Sequence, residues 1–487
     1  MAPAIDPTMD SNEFRKHGHS LVEWMAEYLD SVESFPVKAG VEPKDILNNL
    51  PVAPPKKGEP FERIFDDFKS IVLPGVTHWQ HPSFFAYFPA NSSPPSILAE
   101  MLTACLGLQC MSWVTSPAAT ELEERMMEWL GAMLQLPKEF TGVIQDTAST
   151  ATLCALLSAR ERASGFQVNE LGLPRDQLFT TYCSTQAHSS VEKAVKIAGL
   201  GRRQLRLIGV DEKYAMNPEL LSKAIETDLA GGRRPLCVVA AIGTTSSTAI
   251  DPLKEIAAIC RRHRVWLHVD AAFAGTAAIL PELRWMLNGV EDADSLVFNP
   301  HKWMFTNFDC SAYFVKDKES LVRTFEILPE FLRTPADGRV NNYRDWGIQL
   351  GRRFRALKLW FVIRSYGVNG LQQLIRKHIG IAQQLAKWIS SSDDFELLAP
   401  VPLNTLCFRY RPSGTQATED LNPINEALLQ RLNATGRIYL THTKLAGAYA
   451  LRMAIGQTTV EERHVRAAWE LIQCTARASR EPPGKRR

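Results

Sequence analysis

The spacing of apolar positions divides the chain into three stretches. Near the N-terminus, Phe14, Leu21, Val22, Met25, Tyr28, Leu29 and Val32 recur at helical spacing, which predicts an amphipathic helix over residues 11–34. The segment that follows, Phe35 to Pro60, is crowded with prolines and keeps no apolar period, so it is expected to run extended along another surface. Neither piece carries a core of its own. A helix and arm of this kind are expected to dock on the rest of the fold or on a second subunit.

From about residue 91 to residue 366, short apolar runs alternate with amphipathic helical stretches, the pattern of a mainly parallel α/β sheet. Four strands are legible: "LFTTYC" (178–183), "LCVVAAI" (236–242), "VWLHV" (265–269) and "SLVF" (295–298). Helices are predicted between them, for example over 151–163 and 252–263. "LGRRFRALKLWFVIRSYG" (350–367) reads as a long connecting helix, and beyond it long helices surround a few strands ("FELLAP", "TLCFRYR", "YALRMAI"). The expected organisation is an N-terminal helical segment over 1–90, a large α/β domain over 91–366 and a small α+β domain over 367–487.

Composition narrows the class without choosing a function. The 487 residues are 45% hydrophobic and 22% charged with a net charge of +2, too balanced for a nucleic-acid binder. The basic tail "GKRR" (484–487) is short and reads as a solvated end. No apolar run approaches the ~20 residues of a membrane span, and the acidic N-terminus lacks the apolar run of a secretory leader. Nine cysteines stand singly, with no C-x-x-C, as buried free thiols of a reducing, cytoplasmic compartment would. The eleven histidines show no H-x-x-x-H pattern, so no metal site is expected.

The polar residues that stand out lie just past the four strands. His188 follows "FTTYCSTQA", Thr245 follows "VVAAIGT", Asp270 ends "VWLHV", and Lys302 follows "SLVFNPH". In open α/β sheets ligands bind at the carboxyl ends of strands, so these four side chains should converge on one crevice. Each alone has a plainer reading, as a helix cap, a satisfied core histidine or a surface lysine. Together they are harder to dismiss. Asp270 and Lys302 are one strand–helix–strand unit apart, and a carboxylate and an amine so paired suit pyridoxal phosphate. The amine condenses with the aldehyde, and the carboxylate keeps the ring nitrogen protonated. "TGVIQDTAST" (141–150) runs small and hydroxyl residues into a predicted helix, where free amides favour a phosphate, although a plain capping segment reads the same.

With "HVDAAFAG", "FNPHKW", "YCSTQAHSSVEKA", "HPSFFAYFPANSS", "SWVTSPAATELE", "NYRDW" and "LGRRFRALKLW", the chain resembles the group II pyridoxal-phosphate amino-acid decarboxylases, above all the aromatic-L-amino-acid decarboxylases, from about Asn12 to Trp469. The resemblance implies an α/β fold of the type I pyridoxal-phosphate (aspartate aminotransferase-like) class and an obligate homodimer with active sites at the subunit interface. It implies Lys302 as the Schiff-base lysine, Asp270 as partner of the ring nitrogen and His188 stacked on the ring. Ala148, Ser149 and Asn299 would contact the phosphate, Thr245 would lie beside the cofactor, and His301 would face the substrate carboxylate.

The segment Ile327 to Gln349 is polar and has few core anchors, so it reads as a mobile lid. Within it Tyr343 matches the family tyrosine that returns a proton to the substrate. Phenylalanine there, or asparagine in place of His188, accompanies aldehyde synthesis in the family; both Tyr343 and His188 are kept, which favours decarboxylation to the amine over the aldehyde-synthase alternative. The resemblance places Trp79, Tyr87, Phe88 and Pro89 on an aromatic substrate wall, with Met111 on a wall contributed by the other subunit. Gly351 stands where glycine goes with bulky aromatic substrates, which favours tryptophan or 5-hydroxytryptophan and leaves dopa, tyrosine and phenylalanine open. Ala90 stands where animal members have a threonine, Met111 where phenylalanine is usual, and Asp146 where glycine is common. A transaminase would use the same lysine and aspartate but not a lid tyrosine. A glutamate decarboxylase would need basic residues at Tyr87 and Phe88. A binding protein that had lost catalysis would be expected to lose Lys302, Asp270 or Tyr343.

Overall fold

The computed structural model describes residues 9–174, 177–327, 330, 336, 338–412 and 418–478. The basic tail and the first eight residues, read above as a solvated end and a leaderless start, lie outside the described residues.

A seven-stranded sheet organises the middle of the chain: β1 (Thr141–Gln145), β2 (Phe179–Ser184), β3 (Leu205–Ile208), β4 (Arg234–Ala241), β5 (Trp266–Asp270), β6 (Ser295–Phe298) and β7 (Ser311–Val315). Their order is β1-β7-β6-β5-β4-β2-β3. Strands β3, β2, β4, β5 and β6 run parallel, and β7 is antiparallel to both β6 and β1. The four predicted strands are β2, β4, β5 and β6. Their side chains divide between two cores by alternation, as a sheet covered on both faces requires. Val238, Ala240, Leu267, Val269, Leu296 and Phe298 enter one cluster, while Cys237, Val239, Trp266 and Val297 enter the other, under the helix Ala148–Ser164.

Register sets the site. Ala241 pairs with Asp270 and Asp270 with Val297, so β4, β5 and β6 end level with one another. Whatever follows each strand therefore emerges at the same edge.

A second, antiparallel sheet lies later in the chain, in the order β10-β11-β9-β8, from β8 (Phe395–Leu397), β9 (Thr405–Tyr410), β10 (Thr441–Leu445) and β11 (Ala448–Ala454). The connecting helix begins at Arg355 rather than at residue 350, and runs to Ser390 with a break at Gly367, whose φ of 64° only glycine adopts readily. At the N-terminus the helix Ser11–Ser31 starts on a capping box, Asp10 with Glu13, and leaves Phe14 and Val22 exposed. The proline-rich arm is irregular except for the short helix Asp45–Asn49, and its Val37 is tied by backbone hydrogen bonds to Gly436 and His78.

Candidate active site

The strand ends meet around a cavity of about 230 Å³. Asp270 closes β5. Asn299, His301 and Lys302 lie on and just before the short helix Pro300–Trp303 after β6. Thr245 sits in the turn after β4 and His188 in the turn after β2, while Ala148 and Ser149 open the helix after β1. All eight line this one cavity. A larger cavity of about 870 Å³ shares His188, Thr245, His301, Lys302 and Phe88 with it, and adds Trp79, Tyr87 and Pro89.

Burial lowers the pKa of the Lys302 amine, with Arg452 adding to the shift and Asp270 opposing it. A lysine so placed has a larger neutral, nucleophilic fraction than one in water. Its Nζ lies 5.2 Å from the centre of the Phe88 ring. Asp270 accepts the Ala272 amide on Oδ1 at 3.1 Å, which leaves Oδ2 for a ring N–H. His188 Nδ1 accepts the Ser190 amide at 3.1 Å and lies 2.8 Å from the Ser190 hydroxyl, and burial lowers its pKa. His301 Nδ1 accepts the Cys310 amide at 2.9 Å, and burial pushes its pKa down to about 3. Both rings are thereby held neutral at physiological pH with the proton on Nε2, ready to donate.

One end of the cavity is built by a helix start. The Thr147 hydroxyl caps the helix by accepting the Thr150 amide, while the amides of Ala148 and Ser149 belong to a first turn that has no helical acceptors. Asn299 has a buried side-chain amide oxygen without a partner, so its amide can turn its NH₂ towards an anion. Helix-end amides for a phosphate, a carboxylate for a ring nitrogen and a buried amine for an aldehyde are the donor set that pyridoxal phosphate needs.

Arg452, on β11, was not foreseen from the sequence. Its guanidinium lies 4.5 Å from the Phe88 ring centre; Nε donates to the carbonyls of Thr245 (2.9 Å) and Ser246 (3.1 Å), and Nη1 donates to the Tyr87 carbonyl. Nη2 is buried without a partner. Burial pushes the pKa down to about 10, so the group still carries its charge at neutral pH. The lone arginine inside the apolar run "YALRMAI" was the available signal. Phe308 also lines both cavities, its ring 4.8 Å from His301.

Tyr343, Met111 and Gly351 are not in this cavity. Tyr343 is buried with its ring 5.2 Å from Trp346 and 4.9 Å from the Arg352 guanidinium, beside a different cavity that Glu124 and Met127 also line. Burial, then Glu123 and Glu124, hold its hydroxyl well above the usual phenol range. The three residues form a group of their own. The Arg344 amide donates to the Met111 carbonyl at 2.8 Å, the Cys110 amide to the Arg352 carbonyl at 3.0 Å, and a Cβ on Gly351 would stand 3.2 Å from the Gln109 amide nitrogen. The expectation of few core anchors in 327–349 is thus corrected for its second half. Tyr343, Arg344, Asp345 and Trp346 are all buried there, because a 3₁₀ turn over Tyr343–Asp345 brings the two aromatic rings together on one side. Residues 328, 329, 331–335 and 337 of the expected lid lie outside the described residues.

Among the described residues, no helix is long and apolar enough to cross a membrane, and no cluster of three or more His, Cys, Asp or Glu side chains could hold a metal ion.

Residues 43–411 match the family model described as the pyridoxal-dependent decarboxylase conserved domain. Tryptophan decarboxylase 2 of Oryza sativa subsp. japonica is 44% identical over 475 residues, covering 96% of this chain and 95% of that protein. Phenylacetaldehyde synthase of Arabidopsis thaliana is 43% identical over 475 residues, covering 96% of each chain. The crystal structure of Oryza sativa TDC with PLP and tryptamine superposes with a TM-score of 0.94 at 37% identity, covering 97% of this chain and 99% of that one.

Proposed function

The chain belongs to the pyridoxal-dependent decarboxylases, with their type I fold and pyridoxal phosphate cofactor, and on that premise we propose that it converts an aromatic L-amino acid to its arylalkylamine and CO₂, with tryptophan or 5-hydroxytryptophan favoured. The observation that carries the substrate class is the larger cavity, where Trp79, Tyr87, Phe88 and Pro89 stand against the buried amine of Lys302. Flat aromatic walls suit a flat ring. The names of rice tryptophan decarboxylase 2 and of the rice TDC structure with tryptamine support an indole.

When bound, pyridoxal phosphate supplies an aldehyde for the substrate amine and an electron-poor ring that takes up the electron pair left as the bond from Cα to the carboxylate breaks. Ala148, Ser149 and Asn299 would hold its phosphate, Asp270 would keep the proton on its ring nitrogen, His188 and Thr245 would flank it, and Lys302 would hold it between turnovers. Arg452 Nη2 and His301 Nε2 would donate to the substrate carboxylate and fix the direction of the bond that is to break. The carbon left behind must then receive a proton at Cα before oxygen reaches it. We assign that proton to the Tyr343 hydroxyl, supplied by a second copy of the chain.

A homodimer accounts for the two separate groups. One copy provides the Lys302 cavity, and the other provides Tyr343 with Met111 and Gly351 as a further wall. The exposed apolar side chains Phe14, Val22, Leu98, Met101, Leu102 and Leu106 support a large interface. We take 1–90 as the dimerisation segment, 91–366 as the cofactor domain and 367–487 as the small domain. Free, mostly buried thiols support a cytoplasmic location.

Holoenzyme incubated with each aromatic amino acid should give amine without peroxide. Aldehyde with stoichiometric peroxide would replace this reading with the activity named for the Arabidopsis relative.

A further inference from the structure

The larger cavity contains a polar feature that the decarboxylation chemistry does not use. Two tyrosines meet on its wall. Tyr87 stacks on Trp79, with ring centres 5.7 Å apart and planes 14° apart, and Tyr439, just before β10, meets Tyr87 edge-on at 6.1 Å and 75°. Their hydroxyl oxygens are 3.4 Å apart. A well-formed O–H···O bond measures about 2.5–3.0 Å, so neither hydroxyl satisfies the other. A third hydroxyl placed against the pair could accept from one and donate to the other at ordinary lengths. Burial pushes the Tyr439 pKa up to about 12, which keeps its proton available for donation.

The pair is held at a cost. Tyr87 has φ 53°, in the left-handed region that an aromatic residue adopts only under constraint. The constraint comes from the C-terminal part of the chain: Arg452 donates to the Tyr87 carbonyl, and Thr441 Oγ1 accepts the Tyr87 amide at 3.4 Å. Strain of this kind persists where a side chain has to point in one direction. Ala90, on the same wall, offers a substrate only a methyl group.

We propose that Tyr87 and Tyr439 together read a hydroxyl on the aromatic ring of the substrate, so that the enzyme discriminates 5-hydroxyindole or phenol side chains from their bare counterparts. The inference rests on the aromatic decarboxylase reading above and names the substrate feature that this cavity selects. Tyr439 is a specificity residue here and takes no part in breaking the carboxylate bond.

The test compares kcat/KM for 5-hydroxytryptophan against tryptophan, and for tyrosine against phenylalanine, in the wild-type holoenzyme and in Tyr439→Phe. In at least one pair the ratio of hydroxylated to bare substrate should fall by roughly tenfold in the variant, the size of one neutral hydrogen bond. Tyr87→Phe is the independent second variant and should show the same loss in the same pair. Unchanged ratios, or equal losses on both members of each pair, would overturn the inference and mark the tyrosines as packing alone. A wild-type enzyme that makes no amine from any of the four would instead overturn the functional reading, and would be seen before any ratio was formed.

Discussion

At Lys302 the protein combines an amine whose proton is loosened by burial with a carboxylate, Asp270, across the same cavity. Lys302→Ala should therefore bind added cofactor without a protein-linked visible absorbance and should form no amine above background. A retained covalent chromophore would assign the linkage to another lysine. These two residues were legible because each follows an apolar strand, and strand ends in a parallel sheet converge. Arg452 was not legible. Its partners, the Thr245 and Ser246 carbonyls, lie more than 200 positions earlier, and no local pattern links an arginine on one sheet to a turn on the other. The Tyr87–Tyr439 pair was not legible for the same reason, with 352 positions between its members.

The helix Ala148–Ser164 is the element on which the proposed phosphate contacts depend. Its cap is the Thr147 hydroxyl, whose oxygen accepts the Thr150 amide. Thr147→Ala should cost about 1 kcal/mol of stability, read as a lowered urea midpoint with an unchanged slope. It should also weaken cofactor retention, because the same cap fixes the direction of the amides at Ala148 and Ser149. A lowered midpoint with unaltered cofactor affinity would separate the cap from the phosphate site. Of the sheet, the four inner parallel strands were readable as apolar runs. The edge strands β1 and β3 were not: β3 (Leu205–Ile208) is short and largely unburied, so its apolar signal is weak. The predicted helix over 350–367 was misplaced at its start, because residues 350–354 are held instead by the 109–110 segment, through the Arg352 amide on Gln109 and the Cys110 amide on Arg352.

At the scale of the whole molecule, one chain presents Lys302 and Tyr343 in separate places, and the proposed reaction needs both at one carbon. In the dimer proposed above, two copies would supply them. Mixing Lys302→Ala with Tyr343→Phe under conditions that exchange subunits should restore amine formation, since one site of each mixed dimer then has Lys302 from one chain and Tyr343 from the other. No recovery after demonstrated exchange would place Tyr343 outside the partner's site. The family's aromatic decarboxylase motifs were visible throughout the sequence, and the resemblance already implied a site at a subunit interface; the fold adds that Tyr343, Met111 and Gly351 lie outside the Lys302 cavity. The central claim is loss of the carboxylate followed by protonation at the same carbon. Its most direct test is to incubate the holoenzyme with L-tryptophan in D₂O and analyse the product by mass spectrometry together with released CO₂. The account predicts tryptamine with a single deuterium at the former α-carbon, CO₂ in equal amount and no peroxide. Indole-3-acetaldehyde with peroxide, or recovered tryptophan deuterated at Cα without CO₂, would contradict it.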